Sequence, residues 1–306
     1  MNKWDYYCIK KIENSVRRRI FKQNTEHYAG RKIMNSEAAA ALISKKIMEG
    51  VPFAASRFGS TECSAICRRE AIKRHRFLPN YDMHMHELSG FFPCSDEMLW
   101  KFHDMMVGMI PDIDLLGIWH PSMEEFIIDE YMPDTELTRL RDVGPILSSS
   151  GWNCYLKDKK VLVIHPFEAS IKSQYSRREL LFEDERILPR FELKTIKAVQ
   201  TIAGNVDERF NDWFEAYDYM KRQMNETDFD VALIGCGSYG MPLAIEAKRM
   251  GKTAIHCGGS LQLLFGIKGA RWDKSIGPDV YNKYWIRPLP EDNVLGQQKV
   301  EGGCYW

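Results

Sequence analysis

Short apolar runs without polar alternation are the feature that most constrains the fold of this 306-residue chain. Three of them, at 114–118, 161–164 and 231–234, have the sequences DLLGI, VLVI and VALI. A strand that is buried on both faces of a parallel sheet has this pattern, because helices cover both of its surfaces. We therefore expect a central sheet whose strands are mainly parallel.

Longer segments with helical patterning separate these runs, which is typical of βαβ units. The predicted strands are Pro52–Ser56, Ile113–Ile118, Lys160–His165, Phe191–Ile196, Asp230–Ile234 and Thr253–His256. The predicted helices are 37–49, with Ser36 as N-cap and Gly50 at its end, 207–225, and 238–250. The fold predicted from this order is α/β, with a Rossmann-like open, mainly parallel sheet and helices on both faces.

The charges are balanced overall but unevenly distributed. The chain has 42 basic and 42 acidic residues, which gives no general electrostatic attraction to nucleic acid. Residues 1–32 nevertheless carry nine Lys or Arg and three acids, whereas residues 81–142 carry fourteen acids and three bases. We predict a basic N-terminal segment, 1–32, followed by a single domain, 33–306.

Within this segment, Ile9–Lys22 has apolar residues at helical spacing with cations on the other faces. This pattern predicts a basic amphipathic helix. Two interpretations stay open: the helix packs on the domain, or it makes a peripheral contact with an anionic inner membrane leaflet.

The sequence predicts neither a membrane-spanning helix nor a secretory signal. No apolar run approaches the roughly 20 residues that a membrane-spanning helix needs, and the N-terminus lacks the features of a secretory signal. The eight cysteines include no CxxC pair, which suits reduced thiols. We expect a cytoplasmic location. Within the cytoplasm, the alternative to a free protein is one bound at the inner face of the membrane.

A glycine-rich turn follows the predicted strand at 230–234. Gly235, Gly237 and Gly240 form GxGxxG, with Ser238 and Tyr239 inside it. Such a turn lets the backbone approach a phosphate at a helix N-terminus. An NAD or S-adenosylmethionine enzyme would also need an acid at the end of the next strand, but that strand ends in His-Cys-Gly-Gly. Glycines that serve only helix packing are the structural alternative.

Arg57 ends the first predicted strand and precedes Gly59, Ser60 and Glu62. A guanidinium at this edge suits a diphosphate, because it can contact two oxygens at once. Ser60 is the predicted helix cap. Glu62 is either a functional carboxylate or a charge that the helix dipole favours in the first turn.

Two further strand ends carry polar groups or glycines. His165 and Glu168 follow the run at 161–164 and are candidates for acid–base catalysis, with a structural histidine as the alternative. Gly258, Gly259 and Ser260 follow the last predicted strand and permit close approach to a ligand. We predict that the loops after Ser56, Ile234 and His256 converge on one nucleotide. The aromatic pair that ends VEGGCYW either fills a core groove or lines an acceptor site.

Several of these motifs resemble bacterial glycosyltransferases of the GT-D type. RFGSTE at 57–62 is similar to the family's R-F-G-D-G-E element, in which an Asp-x-Glu pair lies beside the nucleotide-sugar and its metal. The segments HPF, IGCGSYGMPLA and HCGGSLQLLFGIKGARW, at 165–167, 234–244 and 256–272, and the EGGCYW terminus resemble sequences grouped with polysaccharide-assembly glycosyltransferases. The resemblance covers residues 51–306 in outline.

The resemblance implies a transferase that moves a sugar from a nucleoside-diphosphate sugar, with UDP favoured. The acceptor would be a glycan or a lipid-linked glycan, and inversion at the sugar is the favoured outcome. The resemblance also implies a divalent metal, Mn²⁺ or Mg²⁺, with Glu62 as a ligand. However, Ser60 replaces the family's Asp, and a serine hydroxyl cannot neutralise a divalent cation.

Two other functions stay open at this point. One is another Rossmann-like enzyme, such as a methyltransferase, which the glycine turn permits and the missing ribose acid disfavours. The other is a non-catalytic module that binds nucleotides or glycans, which Ser60 permits.

Overall fold

The computed structural model describes residues 2–8, 10, 26–80, 82–146, 151–274, 276 and 280–306. The strands are β1 (His27–Tyr28), β2 (Arg31–Lys32), β3 (Phe53–Ser56), β4 (Leu115–Ile118), β5 (Glu136–Arg139), β6 (Lys160–His165), β7 (Glu192–Lys197), β8 (Val231–Ile234) and β9 (Thr253–His256). The α-helices are α1 (Ser36–Glu49), α2 (Ser60–Lys73), α3 (Met83–Ser89), α4 (Asp96–Met109), α5 (Glu124–Tyr131), α6 (Leu140–Val143), α7 (Glu168–Tyr175), α8 (Trp213–Glu226), α9 (Gly240–Arg249) and α10 (Leu261–Leu264). Short 3-10 helices are Ile110–Asp112, Trp152–Leu156, Arg178–Leu180, Ile202–Gly204, Gly237–Tyr239, Gly258–Ser260, Pro290–Asp292 and Gln297–Lys299.

Seven strands form one open sheet in the order β5-β4-β3-β9-β8-β6-β7, and β1 and β2 form a separate antiparallel pair. Every pairing in the large sheet is parallel, with registers such as Phe53 with Thr253 and Val161 with Val231. All seven carboxyl ends therefore lie at one edge, where open α/β sheets bind ligands. The predicted α/β class and the Rossmann-like parallel sheet are confirmed.

Alternate residues of each central strand contribute to opposite faces of the sheet. In β8, Ala232 and Ile234 pack in the same core cluster as α2, α4, α5, α8 and α9. Val231 and Leu233 pack in the other cluster, with residues of α1, α7 and α10. Helices therefore cover both faces, which explains why the strand sequences lack polar alternation.

Two helix starts differ from the predicted caps by one residue. The N-cap of α1 is Asn35, whose side chain accepts a hydrogen bond from the Ala38 N–H, and Ser36 is the first helical residue. The N-cap of α2 is Gly59 rather than Ser60. Gly50 ends α1 with a φ of 62°, as predicted.

The beginning of the chain packs on the domain. Trp4 and Tyr7 are buried, and the Trp4 ring lies 4.8 Å from the Phe126 ring of α5. Lys10 forms an ion pair of 2.7 Å with Glu125 of the same helix. Apart from Lys10, the predicted helix Ile9–Lys22 lies outside the described residues. No helix in the described part of the chain has both the length and the apolar character needed to cross a membrane.

Candidate functional site

A cleft opens at the carboxyl edge of the sheet, above β3, β6, β7, β8 and β9. We call it the central cleft, and its atom-free volume is about 700 Å³. Its lining residues are Arg57, Leu88, Ser89, Gly90, His165, Pro166, Phe167, Val199, Gln200, Thr201, Ile202, Gly235, Cys236, Gly237, Tyr239, His256, Gly258, Gly259, Gln262 and Tyr305. This figure includes space that is open to solvent; the enclosed space is about 80 Å³, so the cleft is narrow.

The glycine turn after β8 brings two loops together at the floor of this cleft. A Cβ atom on Gly235 would lie 2.6 Å from the Gly258 carbonyl oxygen and 2.8 Å from the His165 ring, so any side chain there would push the β8 and β9 loops apart. Gly237 has a φ of +59°, in the left-handed region that favours glycine. The loops after Ser56, Ile234 and His256 converge at this cleft, and the proposed binding of a nucleotide there stays a prediction.

Gly240 has a different structural role from Gly235 and Gly237. A Cβ atom there would lie 2.2 Å from Nε2 of His256, so the missing side chain makes room for the histidine ring. His256 is buried, and its Nδ1 lies 3.0 Å from the Ser56 hydroxyl. Gly240 thus serves the packing of α9 on the sheet. For this one glycine, helix packing is favoured over close approach to a phosphate.

Ser238 and Tyr239 are held by protein contacts. The Ser238 hydroxyl donates to the Ser89 carbonyl at 2.8 Å and accepts from the Trp213 indole N–H at 2.9 Å. The Tyr239 ring stacks on Trp213 with a centroid distance of 4.8 Å. The prediction that Ser238 contacts a ligand is therefore disfavoured, whereas Tyr239 still contributes to the cleft wall.

Arg57 is the cation of the central cleft. Its guanidinium lies 5.2 Å from the Trp119 ring centroid, and the Trp119 indole is fixed by donation to the Phe58 carbonyl at 2.8 Å. Burial lowers the pKa of Arg57, while Tyr305 and Glu62 act in the opposite direction. An arginine keeps its charge in proteins. Among the described residues, the guanidinium has no hydrogen-bond or ion-pair partner, so its five donors remain for a ligand.

Glu62 is buried and turned toward the protein. Its Oε2 accepts from the Thr61 hydroxyl at 2.8 Å, and the carboxylate lies over Gly59, where a Cβ atom would be 1.8 Å away. Ser60, the other position of the family's acidic pair, is exposed and has no carboxylate. Within the described ranges, no group of three or more His, Cys, Asp or Glu side chains is arranged to hold a metal ion. The residues present therefore do not fit a divalent cation held by Ser60 and Glu62.

His165 lies in the cleft wall as a neutral ring. Burial lowers its pKa to about 3, and its Nδ1 accepts a hydrogen bond of 2.9 Å from the Phe167 N–H. With Nδ1 engaged as an acceptor, the proton of the neutral ring is on Nε2. His165 is therefore suited to donate a hydrogen bond, and the prediction that it acts as a base is disfavoured.

Glu168 does not line the central cleft. It is the first residue of α7 and faces a neighbouring cleft, where it accepts from the Thr195 hydroxyl at 2.6 Å and pairs with Lys172 at 2.9 Å. Burial raises its pKa, but the Thr195 and Lys172 contacts outweigh burial, and the net pKa is lowered. Glu168 is therefore a carboxylate at neutral pH, separated from Arg57 by the residues that line both clefts.

The turn after β9 meets the C-terminal aromatic pair. Gly258 has a φ of +60°, and a Cβ atom on Gly259 would lie 2.2 Å from Cε1 of Tyr305. Tyr305 lines the central cleft, while the Trp306 ring packs 5.5 Å from the Phe167 ring. Trp306 therefore fills a core groove, whereas a contact of Tyr305 with an acceptor stays a prediction. The Ser260 hydroxyl donates to the Cys257 carbonyl at 2.8 Å, so Ser260 stabilises the turn.

The sequence did not predict the residues that form the wall of the central cleft opposite the glycine turns. Leu88, Ser89 and Gly90 come from the end of α3, and Thr201 comes from the loop after β7. The Thr201 hydroxyl donates to the Gly90 carbonyl at 2.5 Å, which joins these two segments. The left-handed Gly90, with a φ of 69°, was the only local signal, and it marks a helix end rather than a site.

The arrangement combines backbone turns at a sheet edge, one cation without a partner among the described residues and a neutral histidine donor. Such groups can hold an anionic, phosphate-containing ligand and stabilise negative charge that develops on it. The apolar side chains of Leu88, Phe167, Val199 and Ile202 lie in the same cleft and can exclude water.

No protein-family model matches this chain, and no curated protein is similar to it at a significant level. Two solved structures of the highly conserved domain of unknown function 1792 do match, and one of them is described as having a distinct glycosyltransferase fold. That structure is 12% identical, with a TM-score of 0.44 over 86% of this chain and 93% of its own. The second, a selenomethionine-substituted form, is 11% identical, with a TM-score of 0.41 over the same shares. These values are too low to assign the chain to that family.

Proposed function

We propose that this chain is a glycosyltransferase that binds a nucleoside-diphosphate sugar, with UDP as the nucleotide, in the central cleft. The observation that carries the proposal is Arg57. It is a cation without a protein partner among the described residues, and it lies against Gly258, where a Cβ atom would be 3.5 Å from Cδ of Arg57. A diphosphate at this place would meet both the guanidinium and the backbone of the glycine turns.

In the proposed reaction, the bond between the anomeric carbon and the diphosphate oxygen breaks, and its electron pair stays on the diphosphate. Arg57 and the Nε2–H of His165 would stabilise that charge, which is greatest as the leaving group departs. The acceptor hydroxyl oxygen forms the new bond to the anomeric carbon. For an inverting transfer, its proton needs a base, and the Glu168 carboxylate is the best candidate, because His165 has its Nδ1 occupied.

The acceptor in this proposal is a glycan or lipid-linked glycan of a bacterial surface polysaccharide or glycoconjugate. No step is routed through a metal ion, because Ser60 and the engaged Glu62 do not form a divalent cation site.

The first test is UDP binding by calorimetry to the wild type and to Arg57→Ala, with Arg222→Ala as a matched control on the exposed side of α8. Loss of charge-assisted hydrogen bonds should weaken UDP binding by at least about tenfold in Arg57→Ala, with Arg222→Ala unchanged. Equal affinities of the wild type and Arg57→Ala would contradict the proposed diphosphate contact.

The second test separates this proposal from its alternatives. UDP release from a panel of UDP-sugars, with a glycan acceptor present, should fall by more than about tenfold in Arg57→Ala. Thermal stabilisation by S-adenosylmethionine but not by UDP would instead favour a methyltransferase. Binding of UDP-sugars without turnover would favour a non-catalytic module.

A further inference from the structure

A second cleft lies beside the central cleft, at the β7 edge of the sheet. We call it the lateral cleft, and its atom-free volume is about 880 Å³. Its lining residues are Pro166, Glu168, Thr195, Ile196, Lys197, Ala198, Val199, Gln200, Asp207, Arg209, Tyr219, Gln223, Glu291, Asp292, Asn293 and Val294. Pro166, Val199 and Gln200 line both clefts, so a molecule in one would lie next to a molecule in the other.

The charged side chains of the lateral cleft other than Glu291 have partners among the described residues. Asp207 and Arg209 form an ion pair of 2.6 Å. The Asp292 carboxylate accepts from the Ser170 N–H at 2.7 Å and thus anchors the N-terminal turn of α7. Side chains that are already positioned lose little entropy when a ligand binds.

Two amide side chains of this cleft have unused hydrogen-bonding capacity. Oε1 of Gln223 is buried and has no partner in the described part of the chain. The Gln200 amide, at the border between the clefts, has no hydrogen bond to any described residue. Each amide offers both donors and an acceptor, which is the capacity that sugar hydroxyls require.

The charge and the aromatic content of the cleft indicate the class of ligand. Four carboxylates line it, Glu168, Asp207, Glu291 and Asp292, against Lys197 and Arg209, and Lys172 pairs with Glu168 at 2.9 Å. The remaining excess of one negative charge gives a phosphate or a uronic acid no net attraction. The half-buried Tyr219 ring lies 5.1 Å from the Phe210 ring and 5.4 Å from the Arg209 guanidinium, and it adds a surface with both apolar and polar parts.

We propose that the lateral cleft binds a neutral, hydroxyl-rich saccharide, and that this saccharide is the acceptor of the transfer. The acceptor role rests on the proposed function, whereas saccharide binding itself does not. Glu168, at the lateral side of the shared Pro166, faces the acceptor in this arrangement, while Arg57 faces the donor.

The test blocks the lateral cleft and measures both ligands. Gln223→Trp on α8 and Asn293→Trp on the opposite loop each place an indole in the cleft. Arg222→Trp puts the same indole on the exposed side of α8 and is the matched control. Saturation-transfer NMR is recorded for lactose, maltose, cellobiose and chitobiose at millimolar concentration, and UDP affinity is measured by calorimetry on every protein.

We expect at least one disaccharide to bind the wild type and Arg222→Trp, and its affinity to fall by at least about tenfold in both cleft variants. UDP affinity should stay unchanged in all four proteins, which also shows that the variants are folded. Unchanged disaccharide signals in both cleft variants, or no signal with the wild type, would overturn the proposal. If the disaccharide results follow expectation, UDP binds none of the four proteins and urea unfolding shows that both cleft variants are as stable as the wild type, the saccharide site stands and only the proposed donor is wrong.

Discussion

Glu124 makes folding stability depend on pH in a direction that is unusual for a carboxylate. It is the first residue of α5 and is fully buried. Its Oε2 accepts from the Tyr28 hydroxyl at 3.1 Å and from the His120 N–H at 2.9 Å. Burial raises its pKa to about 7, although these hydrogen bonds and Arg57 act in the opposite direction.

The sign and the size follow from proton linkage. An unfolded glutamate has a pKa of about 4.3, so between about pH 4.3 and pH 7 the folded protein binds more protons than the unfolded chain. Raising the pH through this window therefore destabilises the fold. At about 1.4 kcal/mol per pKa unit, the total loss is about 4 kcal/mol when Glu124 is charged at pH 8.

The perturbation is Glu124→Gln, which keeps the shape of the side chain and removes its titration. Burial also lowers the pKa of His165 and of His256 to about 3, so these rings destabilise the fold below about pH 6.5, opposite to Glu124. Only the difference between variant and wild type isolates Glu124.

The assay is urea unfolding at pH 5, 6, 7 and 8. Relative to the wild type, Glu124→Gln should gain about 3 kcal/mol of unfolding free energy between pH 5 and pH 8. A difference between Glu124→Gln and the wild type that does not change with pH would refute the reasoning.

Three further predictions concern the glycine turn, the metal and the N-terminal segment. Gly240→Ala places a Cβ atom 2.2 Å from the His256 ring and should lower the unfolding free energy by about 1–3 kcal/mol. Gly108→Ala is the control, because a Cβ atom there meets nothing within 4 Å. It should raise the unfolding free energy by about 0.5–1 kcal/mol in the same urea assay. UDP affinity should differ by less than about threefold between Mn²⁺ and EDTA, and a larger loss in EDTA would show that a metal ion takes part in binding and would contradict the account given of Ser60 and Glu62. The full chain should co-sediment with anionic but not neutral vesicles at low salt, and equal sedimentation of a variant in which Arg17, Arg18 and Arg19 are replaced by serine would leave Ile9–Lys22 without a membrane role.

The strands that could be predicted are those buried on both faces. VLVI and VALI form β6 and β8, because two covered faces require apolar residues at every position. β5 was missed because Glu136 and Arg139 are exposed at the sheet edge, and only Leu137 and Thr138 between them are buried. Four residues with two polar ends give no periodic signal.

The candidate site was predictable where glycine or charge marks a strand end, as at Arg57 and Gly235. It was not predictable where distant segments meet, as at Ser89 and Thr201, because only the fold brings them together. Sequence proximity was also misleading. Glu168 follows His165 by three residues, but the chain turns into α7 between them, and the two side chains line different clefts.

Glu62 lies at a position that resembles a metal ligand in the sequence. In the fold, its side chain has a structural role. Because the Thr61 hydroxyl donates its proton to Glu62, the short contact between Thr61 and Ser89 requires Ser89 as the donor.

The Ser89 carbonyl in turn accepts from Ser238. Glu62 thus orients the Thr61 hydroxyl, which joins α2 to Ser89, and Ser89 is joined through Ser238 to the glycine turn. A carboxylate used in this way needs hydrogen-bond donors and no second acid at position 60. The serine there is therefore consistent with a cleft in which Arg57 and the glycine turns, rather than a cation held by Glu62, meet the negative charge of a ligand.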